Sequence, residues 1–380
     1  MKYLLKNFEK VLGCFLFGLF IAFLTINNIN DDNQKFVGKK INQNNSALVA
    51  LTPKDINAAP SVLNTGIYID KVYDHNPEAK TFRADGWIWA KWKGDRELYS
   101  FNSESAADPL KTVSIYNAIE WDSQYDQEPV YYKTPDNYHY QSKGFSGRFI
   151  YEDVDYRKFP FEKIILPIEL TAVDHWVNEL VLVNESEAEN SAVHNKLEIQ
   201  GYKFKKLLIE DKKRIFNTSF GLNEDAKESF GNQFQSIYPS ILASLYFYRS
   251  ISSSTWNLFI PLITVLLIVI CSPLIDPRNF EPKVALPASV LLVLVFLQEG
   301  YKSLLPSSLT YLTFMDLLYG WSYLITLLVF LESLYTTNKY FSTDKKNLQI
   351  VIKSSRERGQ LILISILLLT PLFGLICWFL

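Results

Sequence analysis

A chain of 380 residues has room for two domains, and its formal charge of −2 leaves no basic footprint for nucleic acid. The 48% hydrophobic content averages a mixed stretch, residues 27–249, with a very apolar one, residues 254–380. The three cysteines, Cys14, Cys271 and Cys377, all lie in apolar segments, which excludes a disulfide framework or a thiolate zinc site from the polar half.

Lys2, Lys6 and Lys10 precede the apolar run VLGCFLFGLFIAFLT, so residues 1–27 read as a signal peptide or an uncleaved N-terminal anchor. Residues 28–60 are rich in Asn, Asp and Lys and read as a polar linker. From Leu63 the texture turns to β, with TGIYIDKVYD and TFRADGWIWAKW alternating at period two around the turn-forming HNPEAK. KTVSIYNAI, VYYK, GRFIYEDVDY, KIILPIELTA, ELVLVN, KFKKLLIED and SIYPSILASLYFYR continue the pattern. An all-β sandwich over residues 61–250 follows, with most of its aromatic rings in the core.

Residues 251–380 contain four apolar segments: 254–275, 281–306, about 311–334, and 360–380. Each is long enough to cross a bilayer, so an all-α four-helix transmembrane bundle is expected. Between the third and fourth segments, Lys339, Lys345, Lys346, Lys353, Arg356 and Arg358 stand against Asp344 and Glu357, which places that loop in the cytoplasm. Counting back puts the β-domain outside, in agreement with the N-terminal signal.

The second segment, EPKVALPASVLLVLVFLQEGYKSLLP, carries an unusual stripe. At roughly 100° per residue, Glu281, Ala285, Ser289, Leu292, Phe296, Glu299 and Ser303 fall within an arc of about 80°. Leu286, Val290, Leu291, Leu294, Val295 and Leu305 occupy the other faces, and Lys283 lies roughly 200° from Glu281. A membrane carboxylate is costly unless it faces water or protein, so the stripe reads as water-lined. Pro287 either kinks this helix or begins it, the latter leaving residues 281–286 as a loop.

These landmarks, in this order, resemble a prokaryotic pentameric ligand-gated ion channel, a relative of the Cys-loop receptors without the Cys loop. The resemblance spans roughly residues 63–380 and rests on several pieces. NTGIYIDKVYDHNPEAKTFRADGWIWAKW is similar to the first two strands of the family's extracellular domain, with Trp92 at its buried tryptophan and Gly94 as an extra residue. YRKFPFEKIILPIEL resembles the loop that presses on the membrane domain, Arg249 and Pro261 the entry to the first span, and SVLL through LPSSLTYLTFMD the pore helix and its outer loop.

The resemblance implies an extracellular Ig-like β-sandwich, a four-helix transmembrane pore domain and a homopentamer in a bacterial inner membrane, with the β-domain periplasmic. Five copies would turn the stripe into rings: Leu292 and Phe296 an apolar gate, Glu281 and Glu299 carboxylate rings that favour monovalent cations. It also implies a pocket between subunits for a small-molecule or ionic agonist, an amine, a proton or another. Trp87 would stand on one face; Tyr116, Asn117, Thr171 and Trp176 on the other, beneath a capping loop carrying Phe220 and Phe230. Phe159, Pro160, Phe161, Glu162, Arg249 and Pro306 would form the coupling interface, Glu162 pairing with Arg249. Membrane lipid is a partner, no cofactor is implied, and a metal site is left open.

An enzyme reading finds no support, because His75, His139, His175 and His194 are scattered and no HExxH or GxSxG run is present. The competing reading is a membrane-anchored periplasmic binding or sensor module without conduction. The acidic and small-polar stripe separates the two, since an anchor has no reason to carry it.

Overall fold

The computed structural model describes residues 46–95, 98–99, 106–107, 109–121, 129–152, 154–185, 192–194, 197–218, 220, 235–250, 255–344 and 346–379. The segment read as a signal or anchor lies outside them. The chain opens with β1 (Ser46–Ala50), α1 (Pro53–Ala58), β2 (Ser61–Asn76), β3 (Thr81–Trp92), β4 (Leu98–Tyr99), β5 (Ala106–Ala107), β6 (Val113–Ile115) and β7 (Ala118–Trp121). It continues through β8 (Val130–Lys133), β9 (His139–Ile150), β10 (Lys163–Ala172), β11 (Leu180–Asn184), β12 (Ala192–Val193) and β13 (Glu198–Ile199). After β14 (Tyr202–Phe216) and β15 (Ser236–Arg249) come α2 (Ile260–Cys271), α3 (Phe280–Lys302), α4 (Phe314–Phe341) and α5 (Leu348–Phe379). The described residues form two compact units: one takes the chain from residue 46 to Val154 plus Lys163–Arg249, the other Asp155–Glu162 plus the described residues from Ser250 on.

The β unit is sandwich-like, as its period-two patterning requires. One sheet has the order β1-β14-β15-β10-β6, with β13 beside β14; the other has β11-β2-β3-β9-β7, with β12 beside β2 and β8 beside β9. Alternation along β3 buries Ala84, Ile88, Ala90 and Trp92 and turns Arg83, Asp85, Trp87 and Lys91 outward. The core closes on Ile164, Leu166, Ile168 and Leu170 of β10 and Ile241, Leu245 and Phe247 of β15. At about 25 cal/mol per Å², such burial dominates the stability of this unit. Gly86 is needed where it stands, because a Cβ there would lie 2.1 Å from the Tyr68 carbonyl oxygen across the β2–β3 ladder.

Three local expectations are corrected. Within the stretch expected as a linker, SALVA pairs antiparallel with β14, Ser46 opposite Phe216, and α1 follows. Composition hid a capping box, in which Thr52 and Asp55 bond each other's backbone N–H and Lys213 pairs with Asp55 at 2.9 Å. KTVSIYNAI is two strands on different sheets, since β6 pairs β10 while β7 pairs β9. GRFIYEDVDY is strand only to Ile150; β9 reaches back instead to His139.

His75 sits half-buried at the end of β2, its Nε2 2.9 Å from the Tyr151 hydroxyl and its ring 5.8 Å edge-on from Tyr202. Arg249 stacks 4.8 Å above Tyr202 and donates to its hydroxyl at 3.1 Å. Burial, and then the Arg249 charge, push the His75 pKa down from 6.5 to about 4. The unfolded chain therefore binds a proton near pH 6.5 that the fold refuses until about pH 4. Stability should fall as pH drops through that window, by on the order of 3 kcal/mol in all. His75→Gln should flatten that acid slope in unfolding midpoints measured between pH 7 and 4, and an unchanged slope would assign the acid lability elsewhere.

Among the described residues, the helical unit contains four helices long and apolar enough to cross a membrane: Trp256–Leu274, Phe280–Lys302, Phe314–Phe341 and Leu348–Leu375. α3 packs on α2 and α4, and α4 on α5. The loop expected between the third and fourth segments is mostly helix. α4 runs on through Lys339, and α5 already contains Lys353, Arg356 and Arg358. Helix continues past the hydrocarbon because nothing in KSSRERG breaks it, and at 28 and 32 residues both exceed the roughly 20 needed to span.

Candidate functional site: the exposed face of α3

α3 is a continuous helix with Pro287 inside it, which removes the loop alternative for residues 281–286. A proline frees the carbonyl four residues earlier, here that of Lys283. The Ser272 hydroxyl, in the turn before α3, donates to that carbonyl at 2.9 Å. The Lys283 ammonium reaches back to the same turn, donating to the carbonyls of Pro273 at 3.2 Å and Ile275 at 3.1 Å. Side chain and backbone thus clasp the turn to the helix around the break. Neither sequence position carries a local signal for this; Ser272 reads as one more small residue in an apolar run.

The inward face of α3 is Lys283, Pro287, Val290, Leu294 and Tyr301, all buried. The other face is bare: Glu281, Ala285, Ser289, Glu299 and Ser303 are exposed, with Leu292 at 59% and Phe296 at 67%. The seven stripe residues therefore share a face that no other described helix of the chain covers. Lys283 is fully buried on the opposite side, where its helical angle puts it. The helix expected to reach Pro306 ends at Lys302, with Ser303 as C-cap. Pro306 disfavours helix at Leu305, and the chain leaves through two tight turns, Leu304 N–H to Tyr301 O and Leu305 N–H to Lys302 O.

The end of α3 at Tyr301 is held by aromatic packing. Tyr301 stacks on Tyr319 at 4.9 Å, and its hydroxyl bonds Asp316, which with Thr313 forms the capping box of α4. The Asp155–Glu162 loop belongs to this unit. Phe159 stacks on Tyr301 at 6.2 Å; Phe161 lies 5.8 Å from Phe259 and 6.4 Å from Phe314. The Phe314 N–H donates to the Arg157 carbonyl at 2.7 Å. Pro160, Glu162 and Pro306 are buried, while Arg249 is half-buried in the β unit beside Tyr202.

The residues of the expected agonist pocket fall into three groups. Trp87 is 48% exposed on the outer face of β3, tilted against Tyr68 at 6.2 Å. Tyr116 stands at the switch between sheets on the other layer, 6.0 Å from Phe216, which lies 5.3 Å from the exposed Phe220 and 5.8 Å from Tyr238. Thr171 and Trp176 are buried, Thr171 bonding Ser240 at 2.9 Å. Asn117 is occupied structurally: its amide donates to the Ile150 and Pro167 carbonyls at 2.8 Å, and its oxygen accepts from the Glu169 N–H, which bridges the two sheets. Phe230 lies outside the described residues.

One neighbour of this group was missed. Arg214 holds its guanidinium 4.1 Å over the Tyr116 ring while bonding the buried Glu169 carboxylate through both nitrogens, one at 2.6 Å. A carboxylate in the apolar run KIILPIELTA demanded a cation, but its partner, 45 residues away, has no signature of its own. Among the described residues no group of three or more His, Cys, Asp or Glu is placed to hold a metal ion. No protein-family model matches this chain, and a comparison with curated proteins finds no match.

Proposed function

We propose that the chain is the subunit of a homopentameric, ligand-gated, cation-selective channel, with α3 lining the pore. The observation that carries this reading is the bare face of α3, which has a carboxylate near each end and Leu292 and Phe296 between them. A helix that only anchors a β-domain gains nothing from exposing two charges in an apolar span. Arranged around an axis, those faces would enclose water, attract cations at the glutamate levels and exclude water at the leucine and phenylalanine levels. The β-domain would lie outside the cytoplasm, in a bacterial inner membrane, and take the agonist between neighbouring copies. Within one chain Trp87 is exposed on β3 while Phe220 is exposed past the end of β14, a strand of the other sheet, so a pocket using both would draw on a second copy. Arg214 stacks on one face of Tyr116, while Trp87 and Phe220 are exposed and open to an ammonium ligand.

The two carboxylates are not equivalent in this reading. Lys302 lies roughly 60° from Glu281 on the helix and can reach the water near Glu299, whereas Lys283 is buried away from the face. Glu281 therefore has the less compensated field. Glu281→Gln should lower single-channel conductance and weaken cation selectivity more than Glu299→Gln does, as read in planar bilayers. A larger effect from Glu299→Gln would move the filter to the other end of α3.

A further inference from the structure

Behind α3, on the side away from the bare face, the bundle interior is polar. Ser333 and Ser355 are buried at 0% and 1% exposure, yet among the described residues neither hydroxyl has a hydrogen-bond partner; the same holds for Thr337. Arg358 bonds the Ser354 carbonyl through Nε at 3.3 Å and lies 5.0 Å from the Tyr335 ring, but one of its terminal nitrogens is buried and unmatched. Glu332 accepts from Thr336 on Oε1 at 2.6 Å, while Oε2 is buried and unmatched. Three of these five groups stand on α4 and two on α5.

Counted from the turn between α4 and α5, the five groups fall within about two helical turns of one another. α4 and α5 run antiparallel from the Ser342–Asn347 turn, so Glu332 pairs in height with Arg358 and Ser333 with Ser355. The Ser272–Leu274 turn packs on α5 nearby: a Cβ at Gly359 would lie 2.8 Å from the Pro273 carbonyl oxygen, so only glycine admits that approach. An orphaned buried polar group costs about 1–3 kcal/mol, and five together would be a heavy penalty if the space were dry.

We propose that this space is a hydrated chamber inside the bundle, open to water from the basic Lys339–Arg356 end and bound by water and neutral hydrogen-bonding solutes of its size. The chemistry selects that class. An anion would satisfy Arg358 and confront Glu332; a cation would do the reverse. Water donates to the Glu332 carboxylate, accepts from the Arg358 guanidinium and matches the three hydroxyls in either sense. The chamber is separate from the bare face of α3, so it stands whether or not that face lines a pore.

Alkylation by iodoacetamide, a small neutral hydrogen-bonding reagent, tests this on the full-length protein in vesicles with its native cysteines replaced by alanine. Ser333→Cys and Ser355→Cys should react within about tenfold of the exposed Ser342→Cys, because only water-contacted thiols ionise and react. Val329→Cys, one turn from Ser333, fully buried and apolar, should stay unmodified and reports any local unfolding. If Ser333→Cys and Ser355→Cys are as inert as Val329→Cys, the chamber is dry and the proposal fails. If Val329→Cys reacts as fast as they do, the access is unfolding and the proposal fails equally.

Discussion

Leu292→Ser is expected to produce current without agonist. Leu292 is 59% exposed at the middle of the α3 face, with Phe296 one turn further along. In the proposed pentamer five such leucines face one another across a narrow lumen, and water leaves because apolar walls offer it no hydrogen bonds. A Leu-sized side chain disfavours water contact by about 2 kcal/mol, so five acting on one ring are enough to set the closed state. Serine removes that penalty and supplies hydroxyls, hydrating the constriction. Leak of a cation-sensitive dye signal from vesicles, or steady current in bilayers, should rise well above wild type. A variant that assembles normally and leaks no more than wild type would show that Leu292 is not the gate.

The largest stability effect is expected in the β unit, at Arg214. Its side chain and that of Glu169 are 11% and 5% exposed, joined by two charge-assisted bonds. Removing one partner of a buried pair strands the other charge and costs about 3–5 kcal/mol. Arg214→Met should therefore lower the unfolding midpoint of the intact protein sharply. The double variant with Glu169→Leu should recover most of the loss, since apolar replacement of the whole pair is close to neutral. The single variant also uncovers Tyr116. If single and double variants are equally unstable, the guanidinium contributes packing rather than charge.

The contrast between these two sites shows what the sequence can convey. Leu292 was legible because a helix maps spacing directly onto faces: the seven stripe residues, which share an arc of about 80° at roughly 100° per residue, are all left bare by the fold. The sandwich was legible for the same kind of reason, since alternation in TFRADGWIWAKW fixes which side of β3 each residue takes. Arg214 was not, because cross-strand partners depend on register between strands distant in the chain, and β14 offers a row of similar charges from which to choose. Asn117 entered through the resemblance alone, and nothing around it in the sequence hints that its amide ties two sheets together. Ser272 and Lys283 were hidden more deeply. Their roles arise only because Pro287 leaves one carbonyl without its usual donor, and the repair is made from a preceding turn.

The account turns on whether the bare face of α3 conducts cations. The reversal potential of single channels under a tenfold KCl gradient measures this directly, and Leu292→Ser provides an open state without an agonist in hand. The Glu281 and Glu299 rings predict a reversal close to the potassium equilibrium potential. A reversal close to that of chloride would contradict the cation assignment, and pure, assembled protein that carries no current in either form would contradict the channel itself.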